Sequence, residues 1–155
     1  MKKSIYSLIL LSLSVTSATV ANEQQNNDLV NAFAEQHQQL MPKVAVADMY
    51  AGCLLAKQQT PPSMAELILK TDKKELADNL INCLGDSSLA SDVALNSGIR
   101  ACFLDQMSNL EADQRQQNMQ QVEAAITQLP RAERQKSFTQ CVNNQTLKYL
   151  SPTTP

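Results

Sequence analysis

Apolar residues recur along this chain at offsets of three and four, the spacing that lines one face of a helix. No stretch of useful length alternates apolar and polar residues as a half-buried strand would. One five-residue pattern occurs four times: an apolar residue, two variable residues, Cys, then another apolar residue. The copies read Tyr50-Ala51-Gly52-Cys53-Leu54, Leu80-Ile81-Asn82-Cys83-Leu84, Ile99-Arg100-Ala101-Cys102-Phe103 and Phe138-Thr139-Gln140-Cys141-Val142. Every cysteine therefore takes the same phase, on the apolar face of a predicted helix.

The boundaries follow from capping residues and prolines. Asp28 caps a first helix with an inward stripe of Leu29, Phe33, His37 and Leu40, and Pro42 ends it. A second helix runs from Val44 to Gln58 with Val46, Tyr50, Cys53 and Leu54 inward. Thr60-Pro61-Pro62 breaks the chain. Ser63 with Glu66 and Asp72 with Glu75 are capping-box signatures, so a third helix, bent or in two pieces, carries Leu76, Leu80, Cys83 and Leu84 to a cap at Gly85. After a loop over 86–90, a fourth helix bears Leu95, Ile99, Cys102 and Phe103. A fifth is Gln-rich and then apolar at Met119, Val122, Ile126 and Leu129. Pro130 opens a sixth, with Phe138, Cys141 and Val142 inward. The expected fold is an all-α, single helical-bundle domain of about five to six helices over residues 22–150, stapled by two disulfides. Residues 151–155 form a flexible tail.

Composition adds a compartment. Lys2 and Lys3 precede an apolar run from Ile5 to Val15, which is followed by small residues ending at Ala21. This is the layout of a cleaved signal peptide over residues 1–21, and the run is shorter than the roughly 20 residues of a membrane span. Removing it takes Lys2 and Lys3 from the 13 Lys and Arg, and nothing from the 15 Asp and Glu, so the net charge moves from −2 to −4. A mildly acidic chain without basic clusters does not fit nucleic acid or an anionic membrane surface. An even number of cysteines behind a leader implies disulfides in an oxidising compartment. The basic opening and short tail favour the bacterial periplasm, with extracellular secretion as the other destination. The sequon Asn144-Gln145-Thr146 is read as a chance match.

Four cysteines allow three pairings. The favoured pairs are Cys53–Cys83 and Cys102–Cys141, each tying two helices of a local hairpin. Disulfides need Cα atoms about 4.4–6.8 Å apart, closer than ordinary helix axes. The small neighbours Gly52 and Ala101 would permit that approach.

Candidate chemistry is sparse. Successive cysteines are separated by 29, 18 and 38 residues and there is one His, which does not match the close ligand pairs of a zinc site. No Cys-x-x-Cys, phosphate loop or nucleophile motif is present. No cofactor is expected. His37 reads as a partly buried structural residue, and the carboxylates look scattered. The expected function is a small secreted or periplasmic protein-binding module, such as an inhibitor or immunity protein against a periplasm-acting toxin enzyme. Two polar loops are the candidate partner contacts: Gln58, Gln59, Thr60 and Ser63 in one, and Asp86, Ser87, Ser88 and Ser91 in the other. The alternatives are a periplasmic acid-stress chaperone and an enzyme built on His37 or paired carboxylates. Partner identity and oligomeric state are not readable from these residues.

Overall fold

The structure, a computed structural model, describes residues 18–151, with side chains from residue 25 onward. The expected leader therefore lies largely outside the described residues, as do residues 152–155 of the expected tail. All regular structure among the described residues is helical. α1 (Ala18–Ala56) is followed by a π-helical turn (Glu66–Lys70), α2 (Lys73–Leu84), α3 (Asp92–Gln106), α4 (Ala112–Gln128) and α5 (Arg131–Leu150). Two disulfides join Cys53 to Cys83 and Cys102 to Cys141, and no described cysteine is free.

The chain divides into two units, one ending at Ala34 and the other beginning at Glu35. Within the first, the side chains from Gln25 to Ala34 are all exposed. Asp28 does not start a helix, because α1 is already formed from Ala18. Leu29 and Phe33, expected to face inward, are 63% and 46% exposed, and Val30 is 65% exposed. The physical reason is that the described residues of the first unit form one helical segment, with no second layer of their own against which to bury a face.

Pro42 does not end a helix either: α1 runs through it. An interior proline costs about 3 kcal/mol through its missing N–H and its ring. Burying one Val-sized or Leu-sized side chain is worth about 1.5–3 kcal/mol, and the turns beyond Pro42 place Val44, Ala47, Ala51 and Cys53 in the core. Continuing the helix outweighs breaking it. The buried face is also rotated from the expected one. Val44, Ala47, Asp48 and Ala51 are buried, while Val46, Tyr50 and Leu54 flank them half-buried.

α1 stops at Ala56, two residues short of the expected end, in a Schellman turn. Gln58 N–H donates to Leu55 O at 3.0 Å, Gln59 N–H donates to Leu54 O at 2.9 Å, and Gln58 takes φ 57°. The two capping signatures both form. Ser63 Oγ accepts from Glu66 N–H at 3.2 Å, and Asp72 Oδ1 accepts from Lys74 N–H at 2.8 Å and Glu75 N–H at 3.2 Å. The third expected helix is thus in two pieces. Gly85 closes α2 at φ 59°, in the left-handed region where glycine carries no Cβ penalty.

In the second unit the core has two parts. The larger gathers Val44, Ala47 and Ala51 of α1, Leu67 and Ile68 of the π-turn, Leu76, Leu95, Ile99, Ile126, Phe138 and Val142. The smaller surrounds the first disulfide with Leu80, Leu84 and Ala94. α1 meets α3 at Gly52, where an added Cβ would stand 1.9 Å from Ser97 O. Only a residue without a side chain permits this backbone contact.

Two tests follow from this packing. In the chain-entropy account, cross-links spanning 30 and 39 residues stabilise by about 3.5–4 kcal/mol each. The Cys53→Ala/Cys83→Ala double variant should therefore melt roughly 10–20 °C below the oxidised protein; equal melting temperatures would remove the first disulfide from the account of stability. Gly52→Ala should cost about 1–3 kcal/mol or more by overpacking. It should exceed Gly98→Ala, whose Cβ meets Phe138 ring atoms at 2.5 and 2.8 Å, because a ring can rotate and a backbone carbonyl cannot. Denaturant melts of the two variants decide the order.

Candidate functional site

The two loops singled out in the sequence both leave from the first disulfide. One begins five residues after Cys53, at Gln58, and the other three residues after Cys83, at Asp86. Gln58, Gln59, Thr60, Asp86 and Ser88 are exposed, and Ser87 is half-buried. Part of each loop has backbone work. Gln58 and Gln59 close α1, Ser63 caps the segment before the π-turn, and Ser91 Oγ accepts from Ala94 N–H at 3.2 Å at the head of α3. Arg131 Nη2 donates to Ala90 O at 2.6 Å, which ties the second loop to α5. The loops border different hollows. Pro61 and Pro62 line one with Ala51, Leu55 and Leu104, and Leu89 and Ala90 line another with Met49, Arg131 and Phe138.

His37 is half-buried, and its Nε2 is enclosed without a hydrogen-bond partner. The sequon is also structural: Thr146 is fully buried and its hydroxyl donates to Val142 O at 2.7 Å.

The carboxylates are not all scattered. α1, α3 and α5 bring Asp48, Asp105, Gln145, Lys148 and Tyr149 into one polar cluster inside the second unit. Gln145 Nε2 and Lys148 Nζ each donate to Asp105 Oδ2 at 3.1 Å. Gln145 Oε1 lies 3.4 Å from Cys102 Sγ, a packing contact because the sulfur is oxidised. Asp48 is 0% exposed, and neither of its oxygens meets a partner in hydrogen-bonding geometry. Burial pushes its carboxyl well above the ordinary carboxylate range. The Gln145 side chain pulls it partly back, and the Asp105 charge adds to the rise. Tyr149 is pushed up to about 12, first by burial, then by the charges of Asp105 and Asp48 and its hydrogen bond to Asp105. No spacing rule reveals this cluster, because its members come from three helices. The available signal was Asp48 itself, which stands at the inward phase between Val44 and Ala51.

A second arrangement lies where α3, α4 and α5 meet. Arg100 and Glu123 form a two-pronged ion pair, Nε to Oε1 at 2.6 Å and Nη2 to Oε2 at 2.8 Å, joining α3 to α4. Such half-exposed pairs contribute about 0–1 kcal/mol. Asp92 Oδ1 takes both Arg131 Nη1 and Arg134 Nη2, the latter at 3.2 Å, and Arg134 Nη1 donates to Asn96 Oδ1. Arg134 Nε is buried without an acceptor, an arrangement that costs about 1–3 kcal/mol. Beside it an apolar hollow of about 310 Å³ runs between Ile99 and Phe103 of α3 and Val122 and Ile126 of α4.

Among the described residues no three His, Cys, Asp or Glu side chains converge as a metal site, and no helix is long and apolar enough to cross a membrane. Comparison with known protein families, characterised proteins and solved structures returns no match for the chain.

Asp48 generates a pH prediction. The folded carboxyl holds its proton more tightly than the unfolded chain does. Its contribution to stability is therefore full below the ordinary carboxylate range and is lost as pH rises through the raised value. Asp72 acts in the opposite sense. Its amide hydrogen bonds to Glu75 and Lys74 hold its carboxyl low, so its contribution is lost as pH falls. Asp48→Asn, which keeps the shape and removes the charge, should leave the melting temperature near wild type at pH 4 and raise it by about 5 °C or more at pH 8. Parallel melting curves for the two proteins across that range would show that Asp48 carries no charge penalty.

Proposed function

We propose that this chain is an extracytoplasmic protein-binding module, of the inhibitor or immunity type, acting in the periplasm of a bacterium. The leader-like residues 1–21 and the two disulfides support the compartment. The observation that carries the binding role is the exposed ridge of Leu29, Val30 and Phe33 on α1. Phe33 stands four residues after Leu29 and three after Val30, the offsets at which helix-in-groove anchors share a face, and large exposed apolar side chains in a cluster mark interaction surfaces. From Asn22 to Pro42 the sequence holds Glu23, Asp28 and Glu35 and neither Lys nor Arg. The partner surface that fits is an apolar groove bordered by cationic side chains. The proposed contact surfaces are then the α1 ridge and, separately, the two polar loops.

The raised Asp48 carboxyl weighs against an acid-unfolding chaperone, since protonating it favours the folded state. The Asp48–Asp105 cluster is a weak basis for an enzyme, because Asp48 is sealed in the core and Asp105 is already engaged by Gln145 and Lys148.

The test is crosslinking capture from periplasmic extract with the oxidised protein and with its Leu29→Gln/Phe33→Gln variant, followed by mass spectrometry. Both substitutions lie on exposed positions, so folding is preserved. One stoichiometric partner held by the wild type and lost by the variant is expected. Equal capture by both proteins, or capture only of a second copy of the chain, would overturn the reading.

A further inference from the structure

The kind of surface that suits the α1 ridge has a counterpart in this chain itself. Two hollows lie between α1 and α5. One, of about 320 Å³, is lined by Met41, Pro42 and Ala45 of α1 and by Phe138, Thr139 and Val142 of α5. The other, of about 380 Å³, is lined by Met49 of α1, by Leu89, and by Gln135, Phe138 and Thr139 of α5. Phe138 and Thr139 are common to both, so the hollows are neighbours along one groove. Gln135 and Thr139 are exposed, and Met41 and Met49 are half-buried. Methionine side chains adapt to apolar partners of different shapes. At the roughly 30 Å³ of a water-sized group, a Leu or Phe side chain fills about 120–210 Å³, so each hollow has room for one such anchor.

Charge identifies the occupant. Among the described residues, no Asp or Glu lines either hollow. The part of α5 beside them, Arg131 to Val142, carries Arg131, Arg134 and Lys136 against Glu133. Asp92, which pairs with both arginines, brings the local balance to 3 − 2 = +1. The segment from Asn22 to Pro42 has the opposite sign, with Glu23, Asp28 and Glu35 and no Lys or Arg, a balance of −3. Its Leu29 and Phe33 are exposed and stand four residues apart, about 6 Å along the helix, so neighbouring anchors are matched to neighbouring hollows. An acidic helix with an apolar ridge thus meets an apolar groove with a cationic wall, and complementary potentials of this kind fix which surfaces associate. We propose that the groove between α1 and α5 receives the α1 ridge of a second copy of the chain. Each copy has one ridge and one groove, and a reciprocal exchange between two copies uses both and closes the assembly as a two-fold pair. The inference rests on the reading of the ridge as a contact surface, but not on a foreign partner; such a partner competes with the second copy for Leu29 and Phe33.

The experiment is sedimentation equilibrium on the purified oxidised protein, on its Leu29→Gln/Phe33→Gln variant, on Thr139→Glu, and on an equimolar mixture of the two variants. Thr139 is exposed and borders both hollows, so a Glu there obstructs the groove and repels the acidic segment without entering the core. The wild type is expected to form a dimer. Each variant alone should raise the dissociation constant at least tenfold while circular dichroism is unchanged. The mixture restores one intact ridge and one intact groove, and it should associate more tightly than either variant alone. Three results would overturn the proposal: a wild type that is monomeric at every soluble concentration, a folded variant that dimerises as tightly as the wild type, or a mixture that associates no better than its components. The comparison of wild type with Leu29→Gln/Phe33→Gln is decisive even if Thr139→Glu does not fold. A monomeric wild type that still captures a foreign protein defeats this inference alone, and a dimer that captures none defeats the foreign partner alone.

Discussion

The backbone contact between Gly52 and Ser97 sets the spacing on which the second unit depends. With a Cβ site 1.9 Å from a carbonyl oxygen, the backbones of α1 and α3 touch directly, closer than helices separated by ordinary side chains about 8–10 Å apart. Cys53 follows Gly52 and reaches Cys83 with Cα atoms 6.2 Å apart. Asp48, one turn earlier on the same face of α1, is carried into the interior by the same approach. Gly98, next to Ser97, receives the Phe138 ring from α5. The buried acid and the α5 contact both lie along this α1–α3 approach, and the first disulfide ties the next residue of α1 to α2.

The helices of the second unit are not all held in the same way. Where α1, α3 and α5 meet, Asp48, Gln145 and Thr146 are enclosed in the core, and neither Asp48 oxygen meets a partner in hydrogen-bonding geometry. α4 is attached differently, through Ile126 and the Arg100–Glu123 ion pair. Close packing transmits strain and tolerates few changes of volume, whereas a helix held by few contacts opens at lower cost. The polar, Gln-rich surface of α4 and the hollow beneath it fit the second regime.

The cysteine frame was legible because it rests on local periodicity. Four copies of one pattern put every sulfur on a buried face, and consecutive pairing then matched two helical hairpins. The capping residues Ser63, Asp72 and Gly85 were legible for the same reason, since each acts within four residues of itself. Pro42 was not, because its local cost was outweighed by burial of residues further along the helix. Leu29 and Phe33 show the converse: a helical stripe identifies a helix but does not supply a partner layer to cover it. The Asp48 cluster and the Arg134 hollow were beyond reach, as both depend on which helices meet and how closely.

The order of the two disulfides has a consequence for how the protein is made. Each sulfur is joined to the next one along the chain, so neither loop encloses a cysteine belonging to the other. A chain that enters an oxidising space N-terminus first exposes Cys53 and Cys83 before Cys102 and Cys141. Linking each cysteine to its immediate successor yields the native bonds without reshuffling. For a chain exported in that order, the native pairing needs an oxidant and no exchange between the two pairs.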